Sequence, residues 1–142
     1  MTFERCIKNA FTVIGREDST HDGPGFIQNL WAEANAHFEE IAPLVMRDER
    51  GIPVGFWGAM TDFSRSFRPW ENNFSEGLYL AGAECADDAI PPVGWTKWSI
   101  PAFEYLKVEN ADFPAVLEYM AENHLSLAGA VHDFTDPGTG IN

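Results

Sequence analysis

The chain has 142 residues, enough for one domain and hardly enough for two. Hydrophobic residues make up 45% of it and aromatic residues 13%, which excludes a disordered or low-complexity protein and allows a sizeable core. Nine Lys and Arg against 22 Asp and Glu give a formal net charge of −13. That charge disfavours unaided binding to nucleic acid or to an anionic membrane, and it favours cationic partners.

The N-terminus has no basic segment followed by an apolar run, and no stretch approaches the length of a membrane span. The two cysteines, Cys6 and Cys85, could form one disulfide, but small secreted domains usually have more. We therefore predict two reduced thiols in a cytoplasmic protein.

The chain begins with a β pattern that leads into an amphipathic helix. Residues 3–17 mix β-branched and aromatic residues with charges, which predicts a strand with an interruption near Asn9. Residues 18–25 have the composition of a loop. From residue 26 to residue 41 the apolar positions recur at i, i+3, i+4 and i+7, which predicts a helix that Pro43 ends.

Two further strands are predicted at residues 54–63 and 74–86, with a polar loop between them. Successive side chains of a strand point to opposite faces of its sheet. Glu84 therefore shares a face with Leu80, and Tyr79 lies on the other face.

After a proline-rich break at residues 87–94, a similar order of elements follows. Residues 95–108 predict a strand with a kink at Pro101, residues 113–124 predict a helix, and residues 127–134 predict a last strand.

The order β-α-β-β followed by β-α-β predicts two copies of one small unit, at about residues 1–88 and 93–142, with the second copy shortened. Residues 135–142 have the composition of a hairpin turn whose second strand is nearly absent. Neither unit can bury its helix stripe alone. We therefore predict one α+β domain, residues 1–142, in which two helices pack on a shared, mainly antiparallel sheet.

Motifs for several common chemistries are missing from the sequence. The four histidines have no metal-ligand spacing with a cysteine or with each other, and no nucleophile elbow, phosphate loop or dinucleotide fingerprint occurs. We therefore predict no metal, no cofactor and no catalytic residue of these classes.

Carboxylates among aromatic residues are the remaining signal. Glu84 lies inside an apolar strand, where it is either solvated at a strand end or buried with hydrogen bonds or a cation as partners. Glu104 and Asp133 are alternative pocket carboxylates, and both also suit exposed positions. Trp31, on the helix stripe, suits either a core or a pocket wall. A carboxylate among aromatic faces is a good receptor for a lipophilic cation.

Five segments, in this order and spacing, resemble the GyrI-like small-molecule-binding family. This is the effector-binding half of bacterial multidrug-responsive transcription activators, and it also occurs as a stand-alone protein. The segments are Phe11-Thr12-Val13-Ile14-Gly15, Leu30-Trp31, Tyr79-Leu80-Ala81-Gly82-Ala83-Glu84, Ile100-Pro101-Ala102-Phe103-Glu104-Tyr105 and Val131-His132-Asp133-Phe134. The resemblance spans nearly the whole chain but includes no helix-turn-helix region.

The resemblance implies a duplicated βαββ fold with a pseudo-two-fold axis and a central ligand cleft between the halves. It also implies that lipophilic cations are bound by aromatic residues and a buried acid. By position it implies pocket roles for Trp31, Tyr79, Glu84 and Tyr105, while Asp133 stands near the place where many members have a Glu. With two further aromatic residues, the predicted ligand-binding set is Glu84, Trp31, Trp57, Tyr79, Trp98, Tyr105 and Asp133.

Three functions are compatible with this reading. The leading one is a stand-alone binding protein for a hydrophobic, cationic small molecule. The second is a small-molecule hydrolase in which Glu84 or Asp133 positions water, as some family members are thought to do. The third is an interaction module that binds gyrase or a transcription partner. A homodimer through an unpaired last strand is compatible with each of them.

Overall fold

The structure is a computed structural model that describes residues 2–110 and 112–139. The described part contains seven strands and three helices, and it belongs to the predicted α+β class. The strands are β1 (Phe3–Lys8), β2 (Phe11–Ser19), β3 (Phe56–Thr61), β4 (Leu78–Cys85), β5 (Thr96–Ile100), β6 (Phe103–Val108) and β7 (Asp133–Thr135). The helices are α1 (Phe26–Ala36), the single turn α2 (Glu71–Phe74) and α3 (Phe113–Glu122).

The strands pair throughout in antiparallel fashion. Within the described residues the main sheet has the order β5-β2-β4-β3-β7, and β1 pairs with β6 in a separate two-stranded ribbon. The ribbon continues the register of the β2–β5 pair, because Phe3 lies opposite Val108 and Phe11 lies opposite Ile100. Residues 9–10 and 101–102 separate the ribbon from the β2–β5 pair. These breaks confirm the predicted interruption near Asn9 and the predicted kink at Pro101.

Corresponding strands of the two halves lie side by side. Strand β2, the second part of the first predicted strand, pairs with β5, and β3, which follows α1, pairs with β7, which follows α3. Both pairs are antiparallel.

The two long helices differ in how they meet the sheets. Helix α1 packs against β2 and β4 on one side of the main sheet, which we call the helix face. Helix α3 contacts the ribbon, where the ring of Tyr119 stacks on Phe3 with 3.9 Å between the centroids. The buried residues of the helix face are Ile14, Leu30, Ala34, Ile41, Val45, Tyr79, Ala81, Ala83, Cys85, Ala89 and Trp95.

The opposite side of the main sheet, which we call the ribbon face, is also covered. Its buried residues are Phe11, Val13, Ala59, Leu78, Leu80, Trp98 and Ile100, and Trp57, Phe63 and Phe67 pack against them. Strand β4 lies at the centre and is buried on both sides along its whole length.

The loop that follows β3 covers part of the ribbon face through Phe63 and Phe67, and the buried carboxylate of Asp62 organises it. Burial alone raises the pKa of Asp62, but four hydrogen bonds lower it to about 2. The donors are the hydroxyls of Ser64 and Thr61 and the backbone N–H groups of Ser66 and Arg68.

The strands predicted at residues 54–63 and 74–86 are trimmed to Phe56–Thr61 and Leu78–Cys85, and two other predicted elements are shortened more strongly. Helix α1 ends at Ala36 instead of residue 41, and two 3₁₀ turns, Phe38–Glu40 and Ala42–Leu44, continue the chain. The backbone leaves the helical region at His37 (φ −118°, ψ 21°), well before Pro43, which lies inside the second 3₁₀ turn, so the prediction that Pro43 ends the helix is wrong. Phe38 and Ile41 still pack on the helix-face core.

The predicted strand at residues 127–134 is the second difference, since only Asp133–Thr135 forms a strand. The preceding segment is held by single contacts rather than by a ladder. The N–H of Ala130 donates to the carbonyl of Phe67 at 3.1 Å, and Gly129 lies against the ring of Phe103. Of the predicted hairpin turn at residues 135–142, residues 140–142 lie outside the described part of the chain.

A glycine pair at the centre of the main sheet brings β2 and β4 close together. Gly15 lies directly opposite Gly82. A Cβ atom on Gly82 would lie 2.6 Å from Cα of Gly15, and one on Gly15 would lie 2.9 Å from Cα of Gly82. Neither position can take a side chain unless the strands separate.

We expect Gly82→Ala to lower the free energy of unfolding by about 2 kcal/mol or more, because the added methyl group has no room beside the β2 backbone. Chemical denaturation measures the change. Gly138→Ala, in an exposed turn, is the matched control and should change stability by less than about 0.5 kcal/mol. Equal effects at the two positions would contradict the close approach of β2 and β4.

Candidate functional site

Glu84 is a buried carboxylate on the ribbon face. It lies in β4 opposite Val13 of β2, and 9% of its surface is exposed. The alternation along β4 places Glu84 on the side of Leu80 and Tyr79 on the other side, as predicted. Of the two alternatives for Glu84, the structure therefore shows the buried one.

Two side chains from other elements form a hydrogen bond and an ion pair with this carboxylate. The indole Nε1 of Trp57 in β3 donates a hydrogen bond to Oε1 of Glu84 at 3.0 Å. The ammonium group of Lys8, at the end of β1, lies 3.3 Å from Oε1 and 3.5 Å from Oε2. The buried charge thus has both a hydrogen-bond donor and a cation.

The Lys8 ammonium also lies over two aromatic rings. Its nitrogen is 4.4 Å from the ring centroid of Phe11 and 5.5 Å from that of Trp57. Ring faces attract cations, so the ammonium has favourable contacts on several sides. We call the group formed by Lys8, Phe11, Trp57 and Glu84 the cation site.

His132 lies beside the cation site. Its ring meets the ring of Trp57 edge-on, with 6.4 Å between the centroids, and its Nδ1 accepts a hydrogen bond from the backbone N–H of Met60 at 3.1 Å. Burial lowers the pKa of His132 to about 4, so the ring is neutral near pH 7. Among the described residues, Nε2 of His132 is buried and has no hydrogen-bond partner.

Tyr105, predicted as a site residue, projects from the ribbon towards the same region. Its ring centroid is 6.2 Å from that of His132. Burial raises the pKa of Tyr105 to about 12. Its hydroxyl is the second buried polar group here without a hydrogen-bond partner in the described part of the chain. Such groups are uncommon in folded proteins and call for an explanation.

Trp98, another predicted site residue, contacts a different carboxylate on the ribbon face. Its Nε1 donates to Oε2 of Glu17 at 2.7 Å, and Arg65 forms an ion pair with the same carboxylate. Trp98 is 3% exposed and packs against Phe67. It therefore belongs to a second carboxylate–indole contact rather than to the cation site.

The remaining predicted residues, Trp31, Tyr79 and Asp133, lie on the helix face. Nε1 of Trp31 donates to the hydroxyl of Tyr79 at 3.0 Å, and that hydroxyl fills the space a side chain on Gly58 would need. Burial, together with the charge of Asp133, raises the pKa of Tyr79 to about 12. More than a third of Asp133 is accessible to solvent, yet neighbouring groups desolvate its carboxyl and raise its pKa.

The seven predicted residues thus form separate groups on opposite faces of the sheet. Glu84, Trp57 and Tyr105 meet at the cation site and its flank, whereas Trp31, Tyr79 and Asp133 lie behind the sheet. Glu104, an alternative pocket carboxylate, is exposed on β6.

Two residues at the site were not in the predicted set. Lys8 is the cation closest in sequence to Phe11, but nothing in the sequence shows that the ribbon curls back to β4. His132 lies in the segment Val131-His132-Asp133-Phe134 that carries the family resemblance, in which Asp133 is the predicted site residue because it is acidic.

Two surface cavities measured along the described residues lie away from Glu84. One of about 330 Å³ is lined by residues of the loop before α1, and one of about 370 Å³ lies between residues 48–54 and 136–139. Neither is lined by a residue of the cation site.

One group in the described part of the chain has the spacing of metal ligands. His37, Glu39 and Glu40 offer ligand atoms within 4.8 Å of one another, and all three are exposed. Glu40 already accepts a hydrogen bond from Nε1 of Trp95 and pairs with His37. These contacts account for the cluster as an anchor for Trp95, and we base no metal site on it.

The sequence matches no protein-family model and no curated protein. The resemblance to the GyrI-like family therefore stays a prediction. None of the helices in the described residues combines the length and apolar character needed to cross a bilayer.

The buried neutral state of His132 predicts a pH dependence of stability. An unfolded histidine binds a proton below about pH 6.5, whereas folded His132 does so only below about pH 4. The unfolded state therefore binds more protons in this window, and His132 lowers the free energy of unfolding by about 3 kcal/mol as the pH falls from 6.5 to 4.

His132→Asn should remove this contribution, since asparagine does not titrate and can still accept the Met60 N–H. The measurement is the difference in unfolding free energy between variant and parent across this pH range. His124→Asn, at an exposed position with a φ of 57° that asparagine tolerates, is the control. If the unfolding free energies of the parent and of His132→Asn fall in parallel as the pH decreases, buried neutral His132 is not the source of the pH dependence.

Proposed function

We propose that the protein binds a lipophilic, cationic small molecule at Glu84. The observation that supports this most directly is the position of the Lys8 ammonium. It lies against a buried carboxylate and over the rings of Phe11 and Trp57. These are the contacts that a receptor for an organic cation provides.

In this proposal Lys8 holds the place of the ligand cation. The Lys8 side chain is 33% exposed and joins Glu84 from the end of a two-stranded ribbon. A flexible lysine can leave for water without unfolding the sheet, and a primary ammonium is strongly hydrated there. A tertiary or quaternary ammonium is less hydrated and carries apolar groups, so it gains more from the aromatic surroundings.

Binding is a better account of this site than hydrolysis. A carboxylate that activates water must be free to accept its proton, whereas both oxygens of Glu84 face Lys8 and one also accepts from Trp57. Product formation from ester-bearing cations in the binding assay would favour the hydrolase instead.

We expect Lys8→Ala to raise the affinity for an aryl-alkyl trimethylammonium ion about tenfold, because the ligand no longer competes with an attached cation. Quenching of tryptophan fluorescence measures the binding, since Trp57 is part of the site. Lys107→Ala removes the same charge from the exposed side of the ribbon and should leave the affinity unchanged.

The matching change at the carboxylate is Glu84→Gln. This substitution should lower the affinity for the trimethylammonium ion about tenfold and leave the affinity for its uncharged tert-butyl isostere unchanged. The proposal fails if the cation and the isostere bind equally well to the parent protein, or if Lys8→Ala and Lys107→Ala have the same effect.

A further inference from the structure

Two polar atoms beside the cation site lack hydrogen bonds. Nε2 of His132 and the hydroxyl of Tyr105 are both buried, and no described residue pairs with either. Burying a polar atom without a partner is unfavourable, so two such atoms in one place call for a hydrogen-bonding partner. Their rings are 6.2 Å apart, and His132 also touches Trp57 of the cation site.

The protonation state of His132 follows from its other contact. Because Nδ1 accepts the backbone N–H of Met60, the proton of the neutral ring lies on Nε2. Nε2 is therefore a hydrogen-bond donor, and the Tyr105 hydroxyl can also donate. The two groups come from different elements, Tyr105 from β6 and His132 from the segment before β7, and their rings lie 6.2 Å apart.

We propose that His132 and Tyr105 form a second, uncharged subsite that donates hydrogen bonds to an oxygen atom of the ligand. This rests on the proposed function and narrows its ligand class. The preferred ligand is a lipophilic cation that also carries a carbonyl, ether or hydroxyl oxygen, rather than a simple alkylammonium ion. A neutral donor suits an uncharged acceptor, since an anionic group beside Glu84 would be repelled.

Four kinds of probe test this proposal separately from the cation site. They are an aryl-alkyl trimethylammonium ion and its uncharged tert-butyl isostere, each with and without a ketone in the chain at successive positions. Calorimetry measures their dissociation constants. At one ketone position we expect about threefold to tenfold tighter binding than for the hydrocarbon chain, in the charged and the uncharged pair alike.

Substitutions then show which residues cause the tighter binding of the ketone probes. Tyr105→Phe removes only the hydroxyl, and His132→Asn keeps an acceptor for Met60 while removing the Nε2 donor. Each should abolish part of the ketone preference without changing the preference for the charged over the uncharged probe. His132→Gln, whose amide can reach the position of Nε2, should restore it. Glu84→Gln should do the reverse and remove only the charge preference.

A spectroscopic measurement does not depend on these variants. In the ¹⁵N-labelled protein, the Nε2–H proton of His132 should shift downfield when the ketone probe binds and should not shift with the hydrocarbon probe. Equal affinities for ketone and hydrocarbon chains, with no shift at His132, would overturn the subsite and leave a buried water as the partner of both atoms. Loss of the charge preference alone would overturn only the proposed function, and failure of every probe to bind would overturn both.

Discussion

The pairing of Lys8 with Glu84 is the interaction on which the candidate site depends. A buried carboxylate in an apolar strand requires a compensating charge, and the cation that pairs with Glu84 comes from a different sheet. The same contact therefore neutralises the buried charge and holds the ribbon against the ribbon face. In the proposed function, a ligand reaches Glu84 only when Lys8 leaves, and this also breaks the contact between the ribbon and β4.

The main sheet makes this arrangement possible by being covered on both sides. Alternation along β4 divides its residues between two environments, so Tyr79 contacts α1 and Glu84 contacts the ribbon. The glycine pair at positions 15 and 82 leaves the centre of the ribbon face without side chains. Trp57 lies opposite Gly82, so its indole can turn to Glu84 across that space.

Much of the fold could be predicted from the sequence because the patterns are local. The alternation in β4 and the breaks near Asn9 and Pro101 are visible in single segments, and the structure has all of them. The extent of α1 and of the last strand could not be predicted as well. Helix α1 ends at Ala36, before the proline that marks its end in the sequence, and the residues before β7 are held by contacts to Phe67 and Phe103 that are distant in sequence.

The site was predicted only in part, because its contacts join residues that are distant in sequence. Glu84 is conspicuous because it interrupts an apolar strand, and an aromatic environment follows from composition. The partners of Glu84 depend on how the ribbon curls over the sheet, which no local pattern encodes. Parity already separated Tyr79 from Glu84, but only the position of α1 shows that Trp31 and Tyr79 form a contact of their own behind the sheet.

The central claim is that an organic cation takes the place of the Lys8 ammonium. A crystal structure of the protein with a bound aryl-alkyl trimethylammonium ion tests it most directly. We expect the ligand nitrogen to lie against the Glu84 carboxylate and over the rings of Phe11 and Trp57, with Lys8 turned out to solvent. A ligand bound elsewhere, with Lys8 still paired to Glu84, would contradict it.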